Sequence, residues 1–160
     1  MVEVPKGSRN KYEMDHSSGR LRLDRQLFTS TRYPADYGFI PDTLGEDGDP
    51  LDVLVLLDEP TFPGCEIECR PLGIFRMRDE KGPDAKILAV ATWDLKNGWT
   101  NLRQVPELVR HEIAHFFQIY KDLEAGTSTT VEGWEGRAAA EAEIRRARKR
   151  HAESLGRLRS

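Results

Sequence analysis

The chain has 160 residues, a net charge of −3 and 38% hydrophobic side chains, enough for one ordinary domain with its own core. With 32% charged residues and no apolar run near the roughly 20 residues of a membrane-spanning helix, that class is excluded. The charge is uneven: residues 145–160 carry seven Lys or Arg and one acid, +6, which leaves −9 of the net −3 for residues 1–144.

The N-terminal "MVEVPKGSRNKYE" lacks the apolar core of a signal peptide. The two cysteines, Cys65 and Cys69, are too few for a four-thiolate zinc site or a disulfide framework. Reduced thiols and a cytoplasmic location are expected.

In chain order, "RLRLDRQL" (20–27) alternates as a half-buried strand through Leu21, Leu23 and Arg25. "YPADYGFIP" (33–41) reads as a turn-rich segment with aromatic anchors. "VLVLL" (53–57), "CEIECRPLGIFRMRD" (65–79) and "KILAVATW" (86–93) read as strands, with "DEKGPD" (79–84) as a hairpin-like loop between the last two. From Pro106 to Glu124 the residues Leu108, Val109, Ile113, Phe116, Phe117, Tyr120 and Leu123 recur at helical spacing, with Gly126 as a stop. A second helix is expected over about 137–153, with Ile144 and Ala147 facing inward. Five or so strands followed by two helices give an α+β, mainly β, order, and the sheet can close as a small barrel. The basic C-terminal stretch reads as a solvated helix face rather than a nucleic-acid tail.

The densest chemistry lies in "EDGDPLD" (46–52), where Glu46, Asp47, Asp49 and Asp52 crowd together. Neighbouring carboxylates raise each other's pKa unless cations offset them. Gly48 permits a tight turn and Pro50 stiffens it. A calcium EF-hand is ruled out: its sixth position should be Gly but is Asp52, and its twelfth should be Glu but is Asp58. A second acidic loop holds Asp79 and Asp84, with Lys86 just beyond. Carboxylates for hard cations, together with Lys11, Arg25 and Lys121, suit a phosphate-rich substrate.

Seven blocks then resemble the family I soluble inorganic pyrophosphatases of the bacterial type: "VPKGSRNKYE" (4–13), "LDR" (23–25), "YPADYGFI" (33–40), "DGDPLDVLV" (47–55), "RPLG" (70–73), "MRDEKGPDAK" (77–86) and "HFFQIYKDLE" (115–124). The resemblance implies a single domain over 1–160; the charge pattern allows the last ten or so residues to be a flexible basic tail. It implies a five-stranded OB-like closed barrel flanked by two C-terminal helices, and a homo-hexamer. The implied activity is hydrolysis of pyrophosphate to two orthophosphates by a metal-activated water or hydroxide, without a covalent intermediate. Several Mg2+ per site are implied, with Mn2+ or Zn2+ as substitutes; pyrophosphate and phosphate are the partners, not nucleic acid or membrane.

The resemblance makes Asp47, Asp52 and Asp84 ligands of the first metal ion, Asp52 being shared with a second. Asp79 and Asp84 serve ions that arrive with substrate, and Glu13 and Glu3 are further acids of the site. Asp49 is the general base. Lys11, Arg25, Tyr37, Lys86, Tyr120 and Lys121 bind the phosphates and share in catalysis, and Tyr33 supports the pocket. The chain starts two residues before Glu3, which predicts a loosely anchored Glu3. Residues 94–104 depart from the family pattern but hold no catalytic position. His16 resembles a variant of the actinobacterial branch; a surface-turn histidine is the expected reading.

Two rival functions are weighed. "HEIAH" (111–115) matches the zinc-peptidase helix motif, with His111 and His115 as ligands, Glu112 as base and Glu135 as a third ligand. At 100° per residue, however, His111 and His115 lie well away from the apolar face, where an interface or solvent is expected. An OB-fold nucleic-acid module would want basic and aromatic strand faces, and these strand ends are acidic.

Overall fold

In the computed structural model, which describes residues 1–158, the chain opens with a three-residue strand, β1 (Val2–Val4). β2 (Asn10–Asp15) and β3 (Arg20–Gln26) form a separate two-stranded sheet, with Lys11 opposite Arg25. This hairpin stands off the core, so Leu23 is 57% exposed; the expected half-buried alternation holds for Leu21 and Arg25 but not for Leu23.

β4 (Asp36–Phe39), β5 (Asp52–Leu56), β6 (Cys69–Asp79), the short β7 (Gly82–Pro83) and β8 (Lys86–Ala91) follow. With β1 and a later strand, β9 (Thr129–Gly136), they form a seven-stranded sheet. Its hydrogen-bonded order is β1-β4-β5-β8-β6-β7, with β9 also on β6. This corrects the expectation of five strands. The pairings run as an open path, and among the described residues no ladder closes it into a barrel.

β5 and β8 are parallel and buried on both faces, which explains their unbroken apolar runs. Leu54, Leu56, Leu88 and Val90 join Phe75, Phe116 and Phe117 in one core. Val53, Val55, Ile87 and Ala89 join Ile74, Ala140 and Ala147 in the other. Helix α1 (Glu107–Ile119) covers the first, and α2 (Arg137–Arg157) the second.

Pro106 opens α1 as expected, but the helix stops at Ile119, well before Gly126. A turn takes over, with the Asp122 and Glu124 amides on the Ile119 and Lys121 carbonyls, and the Thr127 hydroxyl donates to the carbonyls of Lys121 and Glu124. Leu108 and Leu123 are exposed at 77% and 67%, contrary to the expected apolar face. Leu108 lies about 140° from Ile113 around the helix, and Leu123 is in the turn.

α2 matches its expected start and inner side: Ala140 and Ala147 are fully buried and Ile144 packs beside them. The unusual 94–104 segment packs Leu102 into the first core through a 3-10 turn, Leu102–Gln104.

β4, read from its turn-forming residues as a loop, is instead a buried strand between β1 and β5. Its Gly38 is required by close approach, because a Cβ there would lie 2.0 Å from the Met1 carbonyl oxygen and 2.9 Å from the Val2 Cα. Both obstacles are backbone. Gly38→Ala is therefore expected to lose about 1–3 kcal/mol of stability, read as a lower urea midpoint at unchanged slope.

Candidate active site

The acidic loop is tied at its base. The Thr43 hydroxyl donates to the Ile40 carbonyl at 2.5 Å and accepts the Leu51 amide at 3.0 Å. Within it the Gly45 amide meets the Asp49 carbonyl at 2.7 Å, and the Asp49 amide meets Asp47 Oδ1 at 3.1 Å. Gly48 takes a φ of 91°, a conformation that favours glycine.

The loop delivers Asp52 to the first position of β5, in parallel register with Lys86 at the first position of β8. The Lys86 ammonium donates to Asp52 Oδ2 at 2.6 Å, Asp84 Oδ1 at 2.8 Å and the Tyr37 hydroxyl at 2.9 Å. It also lies 5.4 and 5.3 Å from the ring centroids of Tyr37 and Phe117. Burial opposes its charge, but Asp52 and the other partners win and hold its pKa well above the ordinary lysine value.

Cations from other elements close the cleft. Lys121, just past α1, lies 3.4 Å from Asp79 and 3.5 Å from Glu80 at the tip of the β6–β7 hairpin. On the β2–β3 hairpin, Lys11 pairs with Asp24 at 3.2 Å and with Glu13 at 3.8 Å. Arg25 pairs with Asp24 at 2.5 Å and with Glu124 at 2.9 Å. Tyr33 is buried and packs its ring against Tyr37 and Phe116. Tyr120 is buried against Phe116 and Phe117.

Glu3 is well anchored, against expectation. Val2 and Val4 bury β1 on either side, and the Glu3 carboxyl accepts the Met14 amide at 2.6 Å. Its burial pushes its pKa up to about 7. Burial also lifts Asp47 to about 6, with repulsion from Asp84, Asp52 and Asp49 adding to it. Asp84 is raised by burial too.

Every predicted site residue lines one cavity of about 420 Å³: Glu3, Lys11, Glu13, Arg25, Tyr37, Asp47, Asp49, Asp52, Asp79, Asp84, Lys86, Tyr120 and Lys121. Sequence reasoning assigned no role to Asp24, Glu80 and Glu124, which also line it and hold Lys11, Arg25 and Lys121 in place. Their signal was adjacency: each lies within three residues of a predicted site residue. His16 is exposed, as a turn histidine should be, but its ring stands edge-on to Phe39 and lines the cavity.

The lining holds ten acids against five Lys or Arg, so a polyanion needs added positive charge to enter. Among the described residues no three His, Cys, Asp or Glu side chains are gathered into a shell for a cation; the Lys86 ammonium lies between Asp52 and Asp84. The donor chemistry nevertheless fits hard divalent cations: the carboxylates are oxygen ligands, and Glu3 and Asp47, raised first of all by burial, form no ion pair with a Lys or Arg among the described residues.

A family model for inorganic pyrophosphatases matches residues 1–152. The chain belongs to the inorganic pyrophosphatase family. It is 59% identical over 156 residues to an inorganic pyrophosphatase of Streptomyces coelicolor, covering 97% of this chain and 96% of the relative. It is 58% identical over 144 residues to one of Leifsonia xyli, covering 88% and 87%. The crystal structure of the Thermus thermophilus inorganic pyrophosphatase superposes with a TM-score of 0.91 at 49% identity, over 94% of this chain and 88% of that one.

The rival readings find no support. His111, Glu112 and His115 are exposed on the outer side of α1, outside the pyrophosphatase cleft, and His111 lies 3.5 Å from Glu107. Glu135 is held by Arg76 at 2.7 Å. The acidic lining likewise disfavours nucleic acid.

The raised carboxyls imply a pH dependence. Glu3 goes from an ordinary 4.5 to about 7 on folding, and Asp47 from 3.8 to about 6. The folded state then holds more protons than the unfolded one, so stability falls as pH rises through that window. Without divalent cations, the melting temperature is expected to drop between pH 5 and pH 8. Glu3→Gln flattens that slope, as does added Mg2+; a wild-type slope of the opposite sign would refute this reading of the carboxyls.

Proposed function

We propose that the protein hydrolyses inorganic pyrophosphate to two orthophosphates by direct attack of water. The observation that carries this reading is the convergence of the two acidic loops on Lys86, in a cleft that also gathers Lys11, Arg25 and Lys121. Asp47, Asp52, Asp79, Asp84, Glu13 and Glu3 would hold the divalent cations, Mg2+ foremost, with Mn2+ or Zn2+ as substitutes. When bound, these ions neutralise the phosphates and make a water more acidic.

The chain's own groups do the rest. Asp49, on the exposed side of its loop, takes or orients the proton of the attacking water. Lys11 and Arg25 enter from the β2–β3 hairpin, and Tyr120 and Lys121 from the C-terminal end of α1, so the phosphates meet cations from two separate elements. Charge that develops on the leaving phosphate is met by Arg25, Lys121 and the Tyr120 hydroxyl. Lys86 holds Asp52 in place and is itself bonded to the Tyr37 hydroxyl, and both Lys86 and Tyr37 are also placed to bind the phosphates. A covalent intermediate is not needed, because a water made more acidic by the bound cations is itself the nucleophile.

The chain is a single domain in this reading. Its sheet is read as part of an OB-like barrel, a reading supported by one cleft that β1, β5 and β8 of that sheet share with the β2–β3 hairpin. The free thiols Cys65 and Cys69 support a cytoplasmic setting. A homo-hexamer would cover the outer side of α1, where Leu108 is exposed beside His111 and His115.

Phosphate release from pyrophosphate with Mg2+ tests the activity. Wild type is expected to release phosphate rapidly, with Asp52→Asn slower by about 10²-fold or more. A folded wild type that releases none would sink the proposal. Sedimentation tests the assembly: six copies of the 18.2 kDa chain are expected, and Leu108→Glu should give smaller species.

A further inference from the structure

The basic C-terminal stretch takes no part in the cleft, yet it reaches the loop that does. Glu143 of α2 is 3% exposed, packed toward the sheet. Arg146 donates to its Oε2 from Nε and Nη2 at 3.1 and 2.6 Å. Arg150 donates to its Oε1 from Nη2 at 2.6 Å, and Arg76 of β6 approaches at 3.8 Å. Burial alone would raise the Glu143 pKa, but Arg150 and Arg146 outweigh it and hold the carboxyl below the ordinary glutamate value.

Arg150 has a second contact. Its Nε donates to the Leu44 carbonyl at 2.8 Å, while the Leu44 amide donates to the Ala147 carbonyl at 3.0 Å. Leu44 is thus gripped through both backbone groups by one turn of α2. It stands three residues before Asp47, next to Thr43, which ties the base of the acidic loop. The planar guanidinium suits this double task. One edge meets a carboxylate and another a carbonyl, which a lysine ammonium does not reproduce in the same geometry.

We propose that Arg150, oriented by Glu143, is a positioning residue for divalent-cation binding: it clamps Leu44 so that Asp47 and Asp52 are presented by a loop that is already ordered. The inference rests on the reading of that loop as the cation-binding segment. A loop that must be ordered by the cation binds it more weakly, because the ordering entropy is lost at that moment. Groups behind metal ligands commonly set affinity in this way.

The test is calorimetric titration of Mg2+ without pyrophosphate, paired with kcat at saturating Mg2+, for wild type, Arg150→Met, Arg150→Lys and Arg146→Met. Arg150→Met is expected to raise the Mg2+ dissociation constant by about 10-fold, with kcat within about twofold of wild type. Arg150→Lys keeps the charge beside Glu143 but loses the fork, so its affinity is expected to fall as well. Should Arg150→Met fail to fold, Arg150→Lys carries the comparison. Arg146→Met removes two bonds to Glu143 and none to the loop, so its Mg2+ affinity should stay near wild type. Unchanged affinity in the Arg150 variants overturns the inference, as does an equal loss in Arg146→Met. A wild type that binds no Mg2+ overturns the cation reading of the cleft itself, and this inference with it.

Discussion

The ammonium of Lys86 is the constraint on which the cleft depends. A buried charge is tolerated only where partners replace its water. Here the partners are Asp52, Asp84 and Tyr37, from β5, the loop after β7, and β4. The parallel register of β5 and β8 sets Asp52 against Lys86. A slip of one residue would turn Val53 or Ile87 toward the cleft and the charges into the second core. Fold and site therefore specify each other: the ion cluster favours one register, and the register assembles the two acidic loops.

Around that point the molecule manages an excess of negative charge in two ways. Some carboxylates are held by cations of the chain, as Asp24 and Glu124 are by Lys11 and Arg25. Others, Glu3 and Asp47 among them, are left partly buried and undercompensated. The first group fixes the positions of the cationic side chains. The second retains an appetite for hard cations. On the far side of the sheet, α2 sets Arg146 and Arg150 on Glu143, and Arg150 also on Leu44, while Arg145, Arg148 and Lys149 face solvent, as the reading of a solvated helix face expects.

Legibility followed the range of the physics. The acidic loops were readable because their carboxylates crowd within a few residues, and that crowding is a local fact. β5 and β8 were readable because burial on both faces writes an apolar run. β9 was missed: its polar sequence has one face on Phe75 through Trp134 and the other on solvent, so only the pairing with β6 makes it a strand. β4 was misread because Pro34, Gly38 and Pro41 signal turns, while its neighbours β1 and β5 supply the ladder. HEIAH was set aside correctly, since the helical period of the whole segment, and not the five-residue pattern, tells which face meets the core, and His111 and His115 are exposed.

The sequence by itself determined the chemistry on offer: oxygen ligands on two short loops, cations spaced along the chain, and helices with one apolar side each. Local spacing decides these, and it survives in any fold. Only the tertiary structure decided which charges meet. It set Lys86 between Asp52 and Asp84, brought Lys121 to Asp79 across 42 positions, and laid Arg150 on Leu44 across 106. Such contacts depend on register, helix ends and the side of the sheet on which a helix packs, and these are properties of the whole packed chain.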